Sequence, residues 1–182
     1  FSTVEFDNSF SFVGGGLNER SAIWKVSSSS SAQKISTDAI DNEIQKFTQA
    51  EIANSFSMTY SEQGQFFAAF TFESNTIPSR TFVYNATSSQ LSGVKVWFEL
   101  KEGTNGPGNR WNVAAIVSAY GKLLVSDLVT SMIGEIEVNT IENYGSVMFR
   151  SVATQPFNQD GLPICAGEIE ATFENGVGTT LG

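Results

Sequence analysis

The side chains that could perform acid–base chemistry in this chain are carboxylates on or beside predicted strands. They are Glu62, Glu73, Glu99, Asp127, Glu135 and Glu137. Two carboxylates facing each other across a pocket would form the catalytic pair of a glycoside hydrolase. Glu135 and Glu137 alternate with Ile136 and Val138, so both carboxylates are predicted to lie on the solvated face of one strand. A sialidase-like propeller would also need clustered arginines, and those of this chain are scattered: Arg20, Arg80, Arg110 and Arg150.

Other catalytic and metal-binding chemistries lack their residues. The chain contains no histidine, which excludes His-based triads, His general bases and the common zinc sites. Cys165 is the single cysteine, so no internal disulfide can form, and we expect a small buried apolar residue there. Residues 158–161 resemble part of a calcium loop but lack its final glutamate. We therefore expect no catalytic, cofactor or metal site, no cofactor, and no enzymatic activity.

Glycine-rich segments and tryptophans are the remaining candidates for ligand binding. Residues 103–109 lack the Gly-Lys-Ser/Thr of a phosphate-binding loop, and no dinucleotide fingerprint follows residues 14–16, so both segments are predicted to be turns. Stacking on sugars or bases is possible for Trp24, Trp97 and Trp111. Each lies within a strand pattern, which favours packing in the core.

Composition describes a globular, acidic chain. It has 182 residues, which is long enough for one domain with a sizeable core. Of these residues, 41% are hydrophobic and 16% are charged, and the net charge is −9. No basic patch is present that could neutralise phosphates, so we expect no specific nucleic-acid sequence as a partner. No apolar run is long enough to span a membrane, and no membrane partner is expected. The start at Phe1 without methionine led us to expect a fragment of a longer protein.

The elements that would position these side chains are mostly strands. Residues 111–119 form an apolar strand, Tyr120 and Gly121 a turn, residues 123–126 a second strand, and residues 133–139 a third, which together predict an antiparallel meander. Further strands are predicted at residues 1–6, 9–13, 21–26, 55–60, 66–73, 80–85, 94–100, 147–154 and 167–174. Residues 86–90 are predicted to be a polar connection, although Asn85 begins a triplet that matches a glycosylation sequon.

Helical periodicity is confined to one region. Ile40, Ile44 and Phe47 define one apolar helical face, which Ser36, Thr37 or Asp38 can cap. Thr48 and Glu51 form a capping box that begins a second short helix. We interpret residues 35–54 as a helical insertion whose apolar face covers a sheet edge.

A degenerate repeat relates three of the strands. An apolar residue, any residue and a second apolar residue are followed by small polar residues at 24–28, 82–86 and 136–140. The intervals between Val26, Tyr84 and Val138 are 58 and 54 residues. A period near 50 with about four strands per unit is typical of β-propeller blades. The predicted fold is therefore a single all-β domain over residues 1–182, a propeller-like array of short meander blades, with a β-sandwich as the alternative.

These segments, taken in order, resemble a known family. Four segments are similar to the packaged-DNA stabilisation, or tail-hub, proteins of short-tailed P22-like bacteriophages. They are the helical region ending in Phe47 and residues 48–51, the strand and polar residues 82–90, the following tryptophan-containing strand, and residues 133–136. The similarity covers roughly residues 22–157. Asn85 departs from it, because an acidic residue is expected there, and the loop at 103–109 is longer than expected.

The resemblance implies a structural β-propeller subunit of the virion. Copies would form a ring that closes the portal vertex, stabilises packaged DNA, contacts the portal or adaptor, and docks the tail needle and tailspikes. Assembly would take place in the cytoplasm of the bacterial host. It implies no catalytic residues. The carboxylates and tryptophans leave a carbohydrate-binding or carbohydrate-active propeller as the alternative function.

Overall fold

The computed structural model describes residues 3–6, 9–16, 19–27, 31–102, 109–129, 131–137, 140, 142–147 and 151–152. The chain divides into two compact units, Phe1–Phe149 and Arg150–Gly182. All helices and strands described below belong to the first unit, and residues 151 and 152 of the second are exposed coil. None of the described helices is long and apolar enough to cross a membrane.

Antiparallel strands dominate the first unit, and neighbours in each sheet are consecutive in the chain. Sheet 1 contains β1 (Thr3–Phe6), β2 (Ser9–Gly14), β3 (Ala22–Val26) and β4 (Ala32–Lys34). Sheet 2 contains β5 (Phe56–Glu62), β6 (Gln65–Phe72), β7 (Arg80–Asn85), β8 (Val96–Glu102) and β9 (Asn109–Arg110). Sheet 3 contains β10 (Val113–Ala119), β11 (Lys122–Asp127) and β12 (Ile133–Glu135), and a hairpin follows with β13 (Glu142–Asn143) and β14 (Ser146–Val147).

Two tight hairpins set the register of sheets 2 and 3. Tyr120 and Gly121 have φ of 56° and 73°, which confirms the predicted turn and matches the backbone of a type I′ hairpin. Gln63 and Gly64, with φ of 47° and 74°, connect β5 to β6 in the same way. Alternation along each strand then sends side chains to two opposite faces of its sheet.

Sheet 2 is apolar on both faces, and both faces are covered. One face carries Phe70, Phe72 and Phe82, which are buried with Ile23 of sheet 1. On the other face, Ala69 and Val83 are buried with Met58 and with Val113 and Val125 of sheet 3. Three sheets therefore stack face to face in chain order. A two-layer sandwich would leave one face of sheet 2 uncovered, so the alternative fold is not the one observed.

The three sheets meet along their first strands, because β5 contacts both β1 and β10. Two copies of the sequence repeat fall at the ends of the third strands β3 and β7, and the third copy begins directly after β12 ends at Glu135. Residues 28, 138 and 139 of these copies lie outside the described part. Consecutive meanders that pack face to face, with their first strands innermost, are the arrangement of propeller blades. The predicted β-propeller-like architecture is confirmed, and the described sheets do not close into a ring.

Both predicted helices are present between sheets 1 and 2. α1 (Asp38–Ile44) begins after Thr37, whose side chain accepts the Ile40 N–H, and α2 (Gln49–Ala53) has the predicted capping box of Thr48 and Glu51. The prediction that their apolar face covers a sheet edge is wrong. Phe47 lies 5.4 Å, centroid to centroid, from Phe72 in the interior of sheet 2, because large apolar side chains there offer more surface than an edge.

Residues 86–90 were predicted to be a polar connection, but they form most of α3 (Ala86–Ser92). Because this helix is rich in serine, it lacks the apolar periodicity that would predict a helix. The signals that do indicate it are the residues that cap its two ends. Asn85 caps the first turn by accepting the Ser88 N–H at 2.9 Å, and Gly93 ends the helix with φ of 70°. The sequon-like triplet therefore has a structural use, since Thr87 accepts the Phe66 N–H at 2.9 Å.

Replacing Asn85 with alanine should lower the free energy of unfolding by about 0.5–2 kcal/mol, because the first turn of α3 loses its cap. Asn85→Asp retains the acceptor and adds a negative charge at the helix N-terminus, so its stability should equal or exceed that of the parent protein. Urea unfolding of the three proteins measures the difference. Equal losses in both variants would show that the cap is not the source of the effect.

Strand boundaries differ from prediction at several places. β4 was not predicted, the third strand of sheet 3 ends at Glu135 rather than at residue 139, and β8 begins at Val96 rather than at 94. Of the strand predicted at residues 147–154, only Val147 is in a strand, residues 151 and 152 are not, and the rest lies outside the described residues. The strand predicted at 167–174 also lies outside them.

Candidate functional site

The predicted carboxylates are distributed over separate ion pairs. Glu99 accepts two hydrogen bonds from the Arg80 guanidinium, both at 2.7 Å, and Glu43 of α1 pairs with the same guanidinium. Glu73 pairs with Arg110 at 2.6 Å and Glu135 with Lys122 at 2.6 Å. These contacts hold sheets and helices together, and they do not set two of these carboxylates across a pocket.

The remaining predicted carboxylates have different surroundings. Asp127 is 6% exposed and accepts the Val129 N–H at 2.7 Å, so it shapes the β11–β12 connection. Glu137 is exposed beyond the end of β12, which leaves it solvated as predicted. Burial raises the pKa of Glu62 above its ordinary value.

The tryptophans mostly pack in the core, in line with the prediction. Trp97 packs against Phe70 and donates its ring N–H to the Ile35 carbonyl at 2.9 Å, which fastens sheet 2 to the segment before α1. Trp111 precedes β10 rather than lying in a strand, and it packs against the core between sheets 2 and 3. Trp24 donates to the Gly14 carbonyl at 3.0 Å and also lines a cavity.

That cavity lies between sheet 1 and α1 and has a volume of about 300 Å³. Its lining includes Trp24, Arg20, Lys34, Asn42 and Gln45. Lys34 is bound to Asp38 at 3.0 Å and Asp41 at 2.8 Å. Asp41 also accepts a hydrogen bond from Ser36, whose hydroxyl accepts the Ile23 N–H at 3.0 Å. The charged side chains here primarily join α1 to sheet 1.

A second groove, which we call the inner groove, lies where the first strands of the three sheets meet. It has a volume of about 290 Å³ and is lined by Glu5, Thr59, Tyr60, Ser61, Phe66, Ile116, Ser118 and Leu123. Sequence reasoning missed it, because its residues come from five strands and share no motif. Burial raises the pKa of Tyr60, and the charge of Glu62 adds to this effect, so the phenol stays protonated at neutral pH.

Large apolar side chains are exposed around the β11–β12 connection, a set we call the apolar loop. Its members, with exposed fractions, are Leu128 at 54%, Val129 at 73%, Met132 at 45% and Ile133 at 77%. Large apolar residues that are exposed close together in the chain indicate a contact surface more strongly than residues scattered singly.

Among the described residues, no group of three or more acidic or cysteine side chains could hold a metal ion. Residues 103–108, Arg150, residues 158–161 and Cys165 lie outside the described part of the chain. The prediction of no catalytic, cofactor or metal site therefore remains a prediction.

Acid should weaken the contact between α1 and sheet 2. A hydrogen bond from Lys46, followed by the charge of Arg80, holds the pKa of Glu43 below its ordinary value. A carboxyl whose pKa is lower in the folded state stabilises the fold above its unfolded pKa, and that stabilisation disappears as pH falls through the folded pKa. We expect the unfolding free energy to decrease between about pH 5 and pH 3. The decrease should be smaller in Glu43→Gln, as urea titrations at each pH would show.

Consecutive meander blades that pack face to face define a β-propeller-like protein. The family model described as Bacteriophage P22 Gp10, beta-propeller, matches residues 1–141, and the chain belongs to this family. No curated protein matches the chain. The family comprises structural, DNA-stabilising proteins of P22-like phages and is not an enzyme family. The chain is thus a phage structural protein of the virion, which confirms the resemblance seen in the sequence.

Proposed function

We propose that this protein is a tail hub that completes the head after DNA packaging. Copies of it form a ring at the portal vertex, contact the portal or adaptor, retain the packaged DNA, and dock the tail needle and tailspikes. Assembly takes place in the cytoplasm of the bacterial host. It carries no enzymatic activity in this role.

Family membership across residues 1–141 is the observation that carries the proposal. The apolar loop supports it, because subunit contacts bury apolar side chains that are exposed in an isolated chain. The net charge of −9 also suits a vertex through which DNA passes, since like charges would keep phosphates from adhering.

Phage particles assembled without this protein test the proposal. Their heads should package DNA, then lose it to added nuclease, and they should lack needle and tailspikes. Adding the purified full-length protein should restore DNA retention. A variant carrying Val129→Lys and Ile133→Lys should restore it poorly, whereas Glu142→Gln, a change at an exposed site, should behave like the parent. Heads that retain DNA and receive tail parts without the protein would contradict the proposal.

A carbohydrate-binding role is the second candidate, favoured by the cavity beside Trp24. An indole face together with the amides of Asn42 and Gln45 could contact the ring and hydroxyls of a sugar. A glycan array would show saturable binding that Trp24→Ala removes. No response to any glycan would exclude this role.

A further inference from the structure

The inner groove combines features that fit one kind of ligand. We propose that it binds a lysine or arginine side chain presented by an extended segment of another virion protein. The proposal rests on the tail-hub role for the source of that segment. The groups that would recognise the basic side chain are residues that line the groove or lie beside it.

The inner groove has negative charge beside it. Glu5 lines the groove. Glu62 lies close enough to Tyr60, another lining residue, for its charge to raise the pKa of the Tyr60 phenol. Neither carboxylate forms an ion pair with any described residue, whereas Glu73, Glu99 and Glu135 each have a cationic partner. Among the described residues that line the groove, none has a cationic side chain, so a basic partner would supply the complementary charge.

The lining of the groove combines apolar walls with hydroxyl groups. Phe66, which is 50% exposed, and the partly buried Ile116 and Leu123 form apolar walls. Lysine and arginine place their methylene stems along such surfaces while their charged ends reach polar groups. The hydroxyls of Thr59, Ser61 and Ser118 are acceptors in the same groove, and an ammonium or guanidinium group supplies only donors.

The first strands of the three sheets have unpaired edges. Within the described sheets, β1 pairs only with β2, β5 only with β6, and β10 only with β11. Each first strand therefore has one unpaired edge, and these edges adjoin the groove. Backbone edges of this kind bind extended segments through main-chain hydrogen bonds, which is why the basic side chain is assigned to an extended segment rather than to a helix.

Binding of short peptides to the purified full-length protein tests the proposal. The probes are a fluorescein-labelled Gly-Val-Thr-Lys-Val-Thr-Gly peptide and the same peptide with glutamine in place of lysine, followed by fluorescence anisotropy. The lysine peptide should bind saturably and more weakly as salt increases. The glutamine peptide should bind about two- to fivefold more weakly, as loss of one exposed ion pair predicts.

Variants then locate the binding. Glu5→Gln should weaken binding of the lysine peptide by about two- to fivefold, while Glu142→Gln, the same change away from the groove, should leave it unchanged. Ser118→Phe should abolish binding of both peptides by filling the groove; if that variant does not fold, Glu5→Gln still decides. Equal binding of the two peptides, no binding of either, or no effect of Glu5→Gln would overturn the proposal. These outcomes need no phage component, so they leave the tail-hub role to its own test.

Discussion

Phe70→Ala should lower the free energy of unfolding by about 3–5 kcal/mol. Phe70 lies in the interior of sheet 2, is 0% exposed and packs 6.1 Å, centroid to centroid, from Trp97. Truncation removes buried apolar surface and leaves a cavity between sheets 1 and 2, because the strands on either side prevent collapse. Urea unfolding followed by circular dichroism measures the loss.

Phe66 provides the matched control on the same strand. Its side chain is 50% exposed, so Phe66→Ala should cost at most about 1 kcal/mol. Similar losses in the two variants would mean that the face between sheets 1 and 2 is not a packed core. In that case sheets 1 and 2 would not pack face to face as neighbouring blades.

Arg80→Gln should cost about 2 kcal/mol. The Arg80 side chain is 26% exposed and joins β7 to Glu99 of β8 and to Glu43 of α1. Without the guanidinium, both carboxylates lose their shared partner in a half-buried site. Lys46 and Lys101 remain beside Glu43 and Glu99, at 2.8 Å and 3.2 Å, which keeps the cost below that of breaking a fully buried pair. Urea unfolding at neutral pH gives the value.

Lys122→Gln is the corresponding control, because it breaks an exposed pair. Lys122 and Glu135 are 56% and 38% exposed, so the loss should be clearly smaller than that of Arg80→Gln. High salt should reduce the effect of Lys122→Gln more than that of Arg80→Gln. If Arg80→Gln proved as mild as Lys122→Gln, α1 would not be fastened to sheet 2 by this charge cluster.

Local signals in the sequence predict the local structure well. The capping box at Thr48, the apolar face of α1 and the turn at Tyr120 are determined by neighbouring residues, and all are present as predicted. The repeat predicted the blade architecture because each copy ends, or directly follows, the third strand of a meander. α3 was missed because its helical preference depends on the Asn85 cap and tertiary packing rather than on apolar periodicity.

Contacts between distant strands could not be predicted in the same way. The inner groove collects Glu5, Tyr60 and Ser118 from strands far apart in the chain, and no spacing rule links them. The partners of the carboxylates were also unforeseen, since Glu43 and Arg80 are 37 residues apart. A single sequence shows which residues could carry charge or bury surface, but only the stacking of the blades determines which of them meet.

Cryo-electron microscopy of phage heads bound to the full-length protein would show both where the protein lies in the virion and how its sheets pack. We expect rings of density at the portal vertex, in which each subunit contains antiparallel meander blades stacked face to face, with β1, β5 and β10 innermost. A protein that remains a monomer, gives no density at the portal vertex and shows two packed sheets instead of stacked blades would contradict it.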